Sequence, residues 1–185
     1  MKKTYTMIIL CLALALSVIQ IHPAKAGGFS KKGVKTIGLN VTGFYDINSG
    51  FESLYVSFPT QDIKAAGLGA ALFFEYGIAD KFTTEIDLGY SRLTYANKFK
   101  NVIKENFFVG DILGRFYFLN NQRIQPALIF GAGAIVSSAV APTFDVGFGS
   151  HFMITDSFSL KAEVLYKTAI IFHRGEGRVG FAYHF

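Results

Sequence analysis

The residues of this chain that could do chemistry do not form a compact motif. They recur at alternate positions among bulky apolar neighbours. Glu75, Glu85, Asp87, Asp111, Arg115, Asp145, Lys161, Glu163, Lys167 and Arg178 all follow this rule. Glu85 and Asp87 are two apart, so an extended strand puts them on one face, where a carboxylate pair could act as acid and base. Turned into a confined interior beside four cations, the same residues would instead neutralise one another, because an isolated buried charge is costly and pairing offsets its desolvation. The mixture of signs favours a polar network of ion pairs with no catalytic residue. His151, His173 and His184 share no ligand spacing, so no metal site and no cofactor are expected. His151 and His184 are expected to point inward near one end. His173, beside Arg174 and Glu176, is expected in a connecting loop.

Eight alternating segments must position these residues: 34–47, 66–78, 82–95, 105–119, 124–137, 143–152, 158–168 and 178–185. In most of them, side chains of period two separate an apolar face from a polar one, which is strand geometry; the fourth is less clean, with Phe107, Val109, Leu113 and Tyr117 beside Asp111 and Arg115, and the fifth carries small residues throughout. In the second, Leu68, Ala70, Leu72, Phe74, Tyr76 and Ile78 oppose Gly69, Glu75 and Gly77. In the seventh, Phe158, Leu160, Val164 and Tyr166 oppose Ser159, Lys161, Glu163 and Lys167. The links at 79–81, 120–123 and 153–157 are tight and carry Asp or Asn suited to turns. Those at 96–104, 138–142 and 170–176 are expected to be of medium length. The link at 48–65 is long and holds Phe51, Leu54, Tyr55, Val56 and Phe58. Short links thus alternate with longer ones, as when one rim carries turns and the other loops.

The front of the chain reads as an export signal spanning 1–26. Lys2 and Lys3 precede an apolar run from Met7 to Ile21, and Ala24-Lys25-Ala26 supplies a cleavage pattern. Residues 27–33 form a short segment before the strands. Cys11 is the single cysteine and lies inside the signal, so no disulfide is expected beyond it. The formal net charge is +5, and removal of Lys2, Lys3 and Lys25 leaves a nearly balanced chain, which argues against nucleic acid as a partner.

These observations converge on an all-β chain: an eight-stranded antiparallel up-and-down transmembrane β-barrel over 34–185, preceded by a cleaved signal peptide. An open sheet in hydrocarbon would leave edge N–H and C=O groups unpaired, so the strands must close. A soluble barrel would put its apolar face inward. Here the apolar set is bulky Phe, Leu, Ile and Tyr, and the polar set is rich in Gly, Ala, Ser and Thr, which suits a narrow filled lumen with lipid outside. Aromatics should ring both rims: Tyr76, Phe82, Phe118, Phe152, Phe158 and Phe185 at the short-turn end, and Tyr45, Tyr90, Phe108 and Tyr166 near the other.

The last eight residues, RVGFAYHF, resemble the β-signal of bacterial outer-membrane proteins. Arg178, Gly180, Tyr183 and Phe185 match its polar, glycine, apolar or aromatic, and terminal aromatic positions. The segment 34–185 as a whole resembles the small eight-stranded OmpA/OmpX-like barrels. That resemblance implies residence in the cell outer membrane among its lipids, recognition by the barrel-assembly machinery, a monomer, and a non-enzymatic structural or surface-interaction role, with any surface ligand held by the extracellular loops. Two alternatives share the scaffold: a lipid A-modifying barrel enzyme and a narrow channel. The deacylase-type motif has a Ser two residues after its His. Met153 takes that place after His151, and Ser137, Ser138 and His173 near the loop rim form no specific motif.

Overall fold

The computed structural model describes residues 31–47, 65–96, 102–119, 123–137, 139–169 and 173–185. The expected signal peptide, and the 48–65 link except Ala65, lie outside the described residues. The strands are β1 Lys35–Ile47, β2 Ala65–Ala79, β3 Phe82–Ala96, β4 Val102–Tyr117, β5 Ile124–Val136, β6 Val140–Met153, β7 Phe158–Ala169 and β8 His173–His184. Each pairs with its neighbours in sequence, and β8 pairs with β1, giving a closed antiparallel barrel. Lys35 N donates to Phe185 O at 3.0 Å and Phe185 N to Lys35 O at 2.8 Å, so the seam is zipped to its end.

Alternation drives the closure. Leu39 pairs with Leu72, Tyr90 with Phe108 and Leu160 with Phe181 on the outside. Cross-strand apolar pairs of this kind are the unit of sheet stabilisation. Leu68 is 70% exposed and Val164 69%, whereas Arg115 and Lys161 are both 0% exposed. The distribution is that of a water-soluble protein turned inside out.

Tilt follows from the register. Stepping from Thr36 through partners Glu75, Glu85, Leu113, Gly131, Asp145, Lys167 and Arg174 returns to β1 at Asp46. That displacement of about ten residues tilts the strands steeply and sets a lumen just wide enough for side chains. The inward line therefore climbs from the short-turn rim to the loop rim in one circuit.

Three links differ from the sequence expectation. β4 begins at Val102, β6 at Val140 and β8 at His173. The medium links expected at 138–142 and 170–176 are shorter, because β6 and β8 extend into them. Val136 pairs directly with Val140, and Thr168 with His173. Pro142 and the run of glycines after His173 argue for loop in the sequence. In the barrel Pro142 sits opposite Ala134, and Gly175 and Gly177 lie on the outward face between inward Arg174, Glu176 and Arg178. The contrast between short and long links thus rests on β1–β2 and β3–β4.

Candidate functional site: the ion-paired lumen

Every polar residue singled out in the sequence for the interior faces the lumen. Glu75, Glu85, Asp87, Asp111, Arg115, Asp145, Lys161, Glu163, Lys167 and Arg178 are all buried. They gather into two clusters, each centred on one arginine.

The lower cluster is held by Arg115 of β4. Its Nη2 donates to Glu85 Oε1 at 2.6 Å and its Nη1 lies 2.5 Å from Glu85 Oε2, a two-pronged clasp. Nε and Nη2 also donate to Glu163 Oε1 at 3.1 and 2.7 Å, and Nη1 lies 4.0 Å from Glu75 Oε2. Lys161 of β7 donates to both oxygens of Glu85 at 2.7 and 2.9 Å, while its ammonium stands 3.9 Å from the centre of the Phe73 ring. A planar guanidinium suits this role because its fixed fork matches carboxylate geometry.

In the upper cluster, Arg178 of β8 bonds Asp87, donates from Nη2 to Asp111 Oδ2 at 2.7 Å, and from Nε to Glu176 Oε1 at 2.5 Å. Lys167 extends the chain, bonding Asp111 Oδ1 at 2.7 Å and Asp145 Oδ2 at 3.1 Å. Glu85 and Asp87, the spacing that suggested acid–base work, are thus engaged by different cations. Apolar side chains fill the remaining section: Phe73, Leu113, Ile129, Leu165 and Tyr117 are all nearly or wholly inaccessible.

A hydrogen-bonded chain closes the short-turn end. Thr36 Oγ1 lies 2.8 Å from His184 Nδ1, His184 Nε2 lies 2.8 Å from Ser159 Oγ, and Ser159 Oγ lies 3.1 Å from His151 Nδ1. His151 Nε2 in turn lies 3.6 Å from Glu75 Oε2, and Tyr117 Oη donates to Glu75 Oε1 at 2.9 Å. One tautomer, with the proton on Nε2 of both rings, lets each hydroxyl donate onward to the next acceptor. The Ser159–His151–Glu75 series has the order of a nucleophile, base and acid. However, Ser159 is buried and also tied to His184, at the rim opposite the long loops. A nucleophile must meet its substrate, and this one is walled in.

Several residues of the interior escaped the sequence reading. Lys31 tucks under the short-turn end, where its backbone N donates to Asp80 O at 3.2 Å and its ammonium lies 4.5 Å from the centre of the Tyr117 ring. Burial pushes the Lys31 ammonium below its ordinary value, with Glu75 opposing and Arg115 reinforcing the shift. At the other end Phe44, Phe107 and Ile135 form an apolar cap, and the Arg174 guanidinium stacks on Phe44 and Phe107 at 4.0 and 5.0 Å. The sequence places Arg174 and Glu176 in a connecting loop. They sit in β8 in step with Arg178, and that alternation is the signal that would have found them. His173 likewise is not in a loop: it begins β8, faces outward, stacks on Tyr166, and its Nδ1 lies 2.8 Å from Tyr166 Oη and 2.9 Å from Thr168 Oγ1.

The four residues of the terminal pattern divide by face. Arg178 and Gly180 point into the lumen, whereas Tyr183 and Phe185 stack outside at 6.0 Å between centroids, with Phe158 4.8 Å from Tyr183.

No family model and no curated protein sequence matches the chain. Solved structures do match it. Neisserial surface protein A aligns with a TM-score of 0.61 at 14% identity, covering 83% of this chain and 100% of that one. The outer membrane protein OprG of Pseudomonas aeruginosa gives 0.58 at 14% identity, covering 83% and 96%. Ail, the attachment invasion locus protein of Yersinia pestis, solved with the heparin analogue sucrose octasulfate, gives 0.56 at 15% identity, covering 83% and 99%. At such identities the likeness speaks for fold, and the fold is the one the sequence pattern implies. The chain has the fold of the small eight-stranded outer-membrane β-barrels, consistent with the OmpA/OmpX-like class that its sequence resembles.

Proposed function

We propose that this chain is a non-enzymatic integral barrel of the bacterial outer membrane, with a structural or surface-interaction role carried by the connections at its loop rim. The observation that carries this reading is the inverted distribution of side chains: bulky apolar residues cover the outer wall, and charges are paired inside. On β4, Phe108 and the following Phe118 bracket the wall about ten residues apart, the span of a tilted membrane strand. Residues 1–26 direct export and are removed. Arg178, Gly180, Tyr183 and Phe185 are read by the barrel-assembly machinery, and the protein is a monomer among outer-membrane lipids.

The filled lumen favours this role over a channel. Two ionic clusters and the plug of Phe73, Leu113, Ile129 and Leu165 block the bore. The burial of Ser159 favours it over an enzyme. The test is to refold the protein into vesicles, assay release of entrapped solutes, and compare lipid A by mass spectrometry before and after exposure. Heat-dependent gel migration with no solute release and unchanged acylation is expected. Solute release, or a change in acyl chains abolished by Ser159→Ala, would overturn the non-channel or the non-enzymatic part respectively.

A further inference from the structure

The chain supplies its own stopper for the short-turn mouth. Residues 31–34 form a tight reversal in which Val34 N donates to Lys31 O at 3.0 Å, and Gly33, at φ 81°, takes the left-handed conformation that its third position requires. This strap is docked on the end of β2. Gly33 N donates to Gly77 O at 2.8 Å, Gly77 N to Val34 O at 2.9 Å, and Lys31 N to Asp80 O at 3.2 Å. The approach is so close that a Cβ on Gly77 would run into the Lys31 backbone oxygen. So anchored, the strap sends the Lys31 side chain into the mouth. The residue is 6% exposed, and its ammonium stands 4.5 Å from the centre of the Tyr117 ring. The His151 ring meets Tyr117 edge-on at 5.9 Å between centroids, and the His184 ring lies 5.8 Å from His151.

Charge explains why a lysine is held there. The lower cluster sets three carboxylates, Glu75, Glu85 and Glu163, against two cations, Arg115 and Lys161. Glu75 is the least well served: Arg115 Nη1 lies 4.0 Å from its Oε2, which is buried and accepts no hydrogen bond. A buried carboxylate without a matching cation is costly, and Lys31 brings the third positive charge to the mouth beside it. The Tyr117 hydroxyl, bonded to Glu75 Oε1 at 2.9 Å, joins the ring face and the carboxylate into one surface. We propose that the Tyr117 ring face and the Glu75 carboxylate form an ammonium site at the short-turn mouth, and that Lys31 is its tethered occupant, stopping the chamber that holds His184, Ser159 and His151. The ligand class is a primary alkylammonium, a compact cation on an unbranched stem that can rest on an aromatic face. The seal belongs to the barrel itself and goes beyond the surface role proposed above.

The experiment is carbethoxylation of the folded barrel by diethyl pyrocarbonate, read by peptide mapping as the rate at His184 relative to that at His173 on the outer wall of the other rim. In the wild type that ratio should be low, since His184 is buried. Lys31→Ala should raise it about tenfold or more by opening the mouth. In that variant n-butylammonium, which replaces the lost stem and charge, should return the ratio toward the wild-type value, and n-butanol should not. Lys35→Ala, which removes an exposed cation from the same rim, should leave the ratio unchanged. An unchanged ratio in Lys31→Ala, or an equal rise in Lys35→Ala, would overturn the stopper. Equal protection by amine and alcohol, or protection by neither, would overturn the ammonium site. Folding is read separately from the shift in gel migration on boiling. Should Lys31→Ala not fold, Gly77→Ala, which unseats the strap but keeps the ammonium, serves in its place: it should raise the same ratio, and an unchanged ratio would again overturn the stopper.

Discussion

Glu75 of β2 and Glu85 of β3 are direct cross-strand partners, two carboxylates facing each other on the inward side of one ladder, and Arg115 reaches both. Like charges in that position repel. The same arrangement recurs one level up: Asp87 and Asp111 are partners across β3 and β4, and Arg178 binds both. The interior is thus two facing acid pairs, each bridged by one guanidinium. The buried charged residues among those described number six basic and seven acidic, so the lumen is close to neutral as a unit.

Removing one bridge should expose that dependence. Arg115→Met leaves Glu75, Glu85 and Glu163 without their shared partner and should cost about 3–5 kcal/mol in the urea unfolding of vesicle-folded protein. Adding Glu85→Gln should recover part of the loss, because the two residues belong to one network and their effects are not additive. Strictly additive losses would show that the bridge is incidental.

Packing around the plug is as tight as the charges are. A Cβ on Gly131 of β5 would run into the backbone oxygen of Ile112 and reach within 2.9 Å of Leu113 Cα. Gly131→Ala should therefore destabilise the barrel by about 1–3 kcal/mol through overpacking. A neutral result in the same unfolding assay would mean that β4 and β5 separate freely.

Lys31 gives the short-turn end a pH dependence of defined sign. Burial lowers its affinity for a proton in the folded state, so the unfolded chain, with an ordinary value of 10.5, binds that proton more tightly. The cost of burying the charge is full below the lowered folded value and fades as pH rises toward the unfolded one. Relative to Lys31→Met, the wild type should gain stability as pH rises through that window. A difference independent of pH would contradict the buried position of the ammonium.

A terminal pattern read during assembly should separate assembly from stability. Phe185→Ala removes one ring from the Tyr183 stack, a loss of no more than about 1.5–3 kcal/mol even for a fully buried side chain. If the assembly machinery reads this position, outer-membrane insertion in cells should fall sharply while refolding in vesicles changes little. Parallel losses in both assays would reduce Phe185 to a strand end.

Much of the fold was legible because the barrel writes itself in period two. Leu72 outside and Glu75 inside follow from parity alone, and so do Arg115 and Lys161. Strand ends were harder. Pro142 and the glycines at 175 and 177 are breakers in isolation, yet in the barrel the ladder runs through them, which misplaced His173, Arg174 and Glu176. The pairing of charges was legible only as a sum of signs. That Arg115 serves Glu85 and Arg178 serves Asp87 depends on strand tilt, which no single strand records. Lys31 was unreadable for another reason: it belongs to no alternating segment, and only the assembled mouth gives it a place beside Tyr117.

The central claim is that the exposed apolar wall meets lipid and the interior is closed. The sharpest test places nitroxide labels on Leu72→Cys, Leu88→Cys and Val164→Cys in protein without residues 1–26, and so without Cys11, folded into vesicles. All three labels should collide readily with lipid-dissolved oxygen and scarcely with a water-soluble nickel chelate, and a label on Lys32→Cys at the short-turn end should show the reverse. Free access of the chelate to Leu72, Leu88 and Val164 would mean that this wall faces water and that the barrel does not sit in lipid.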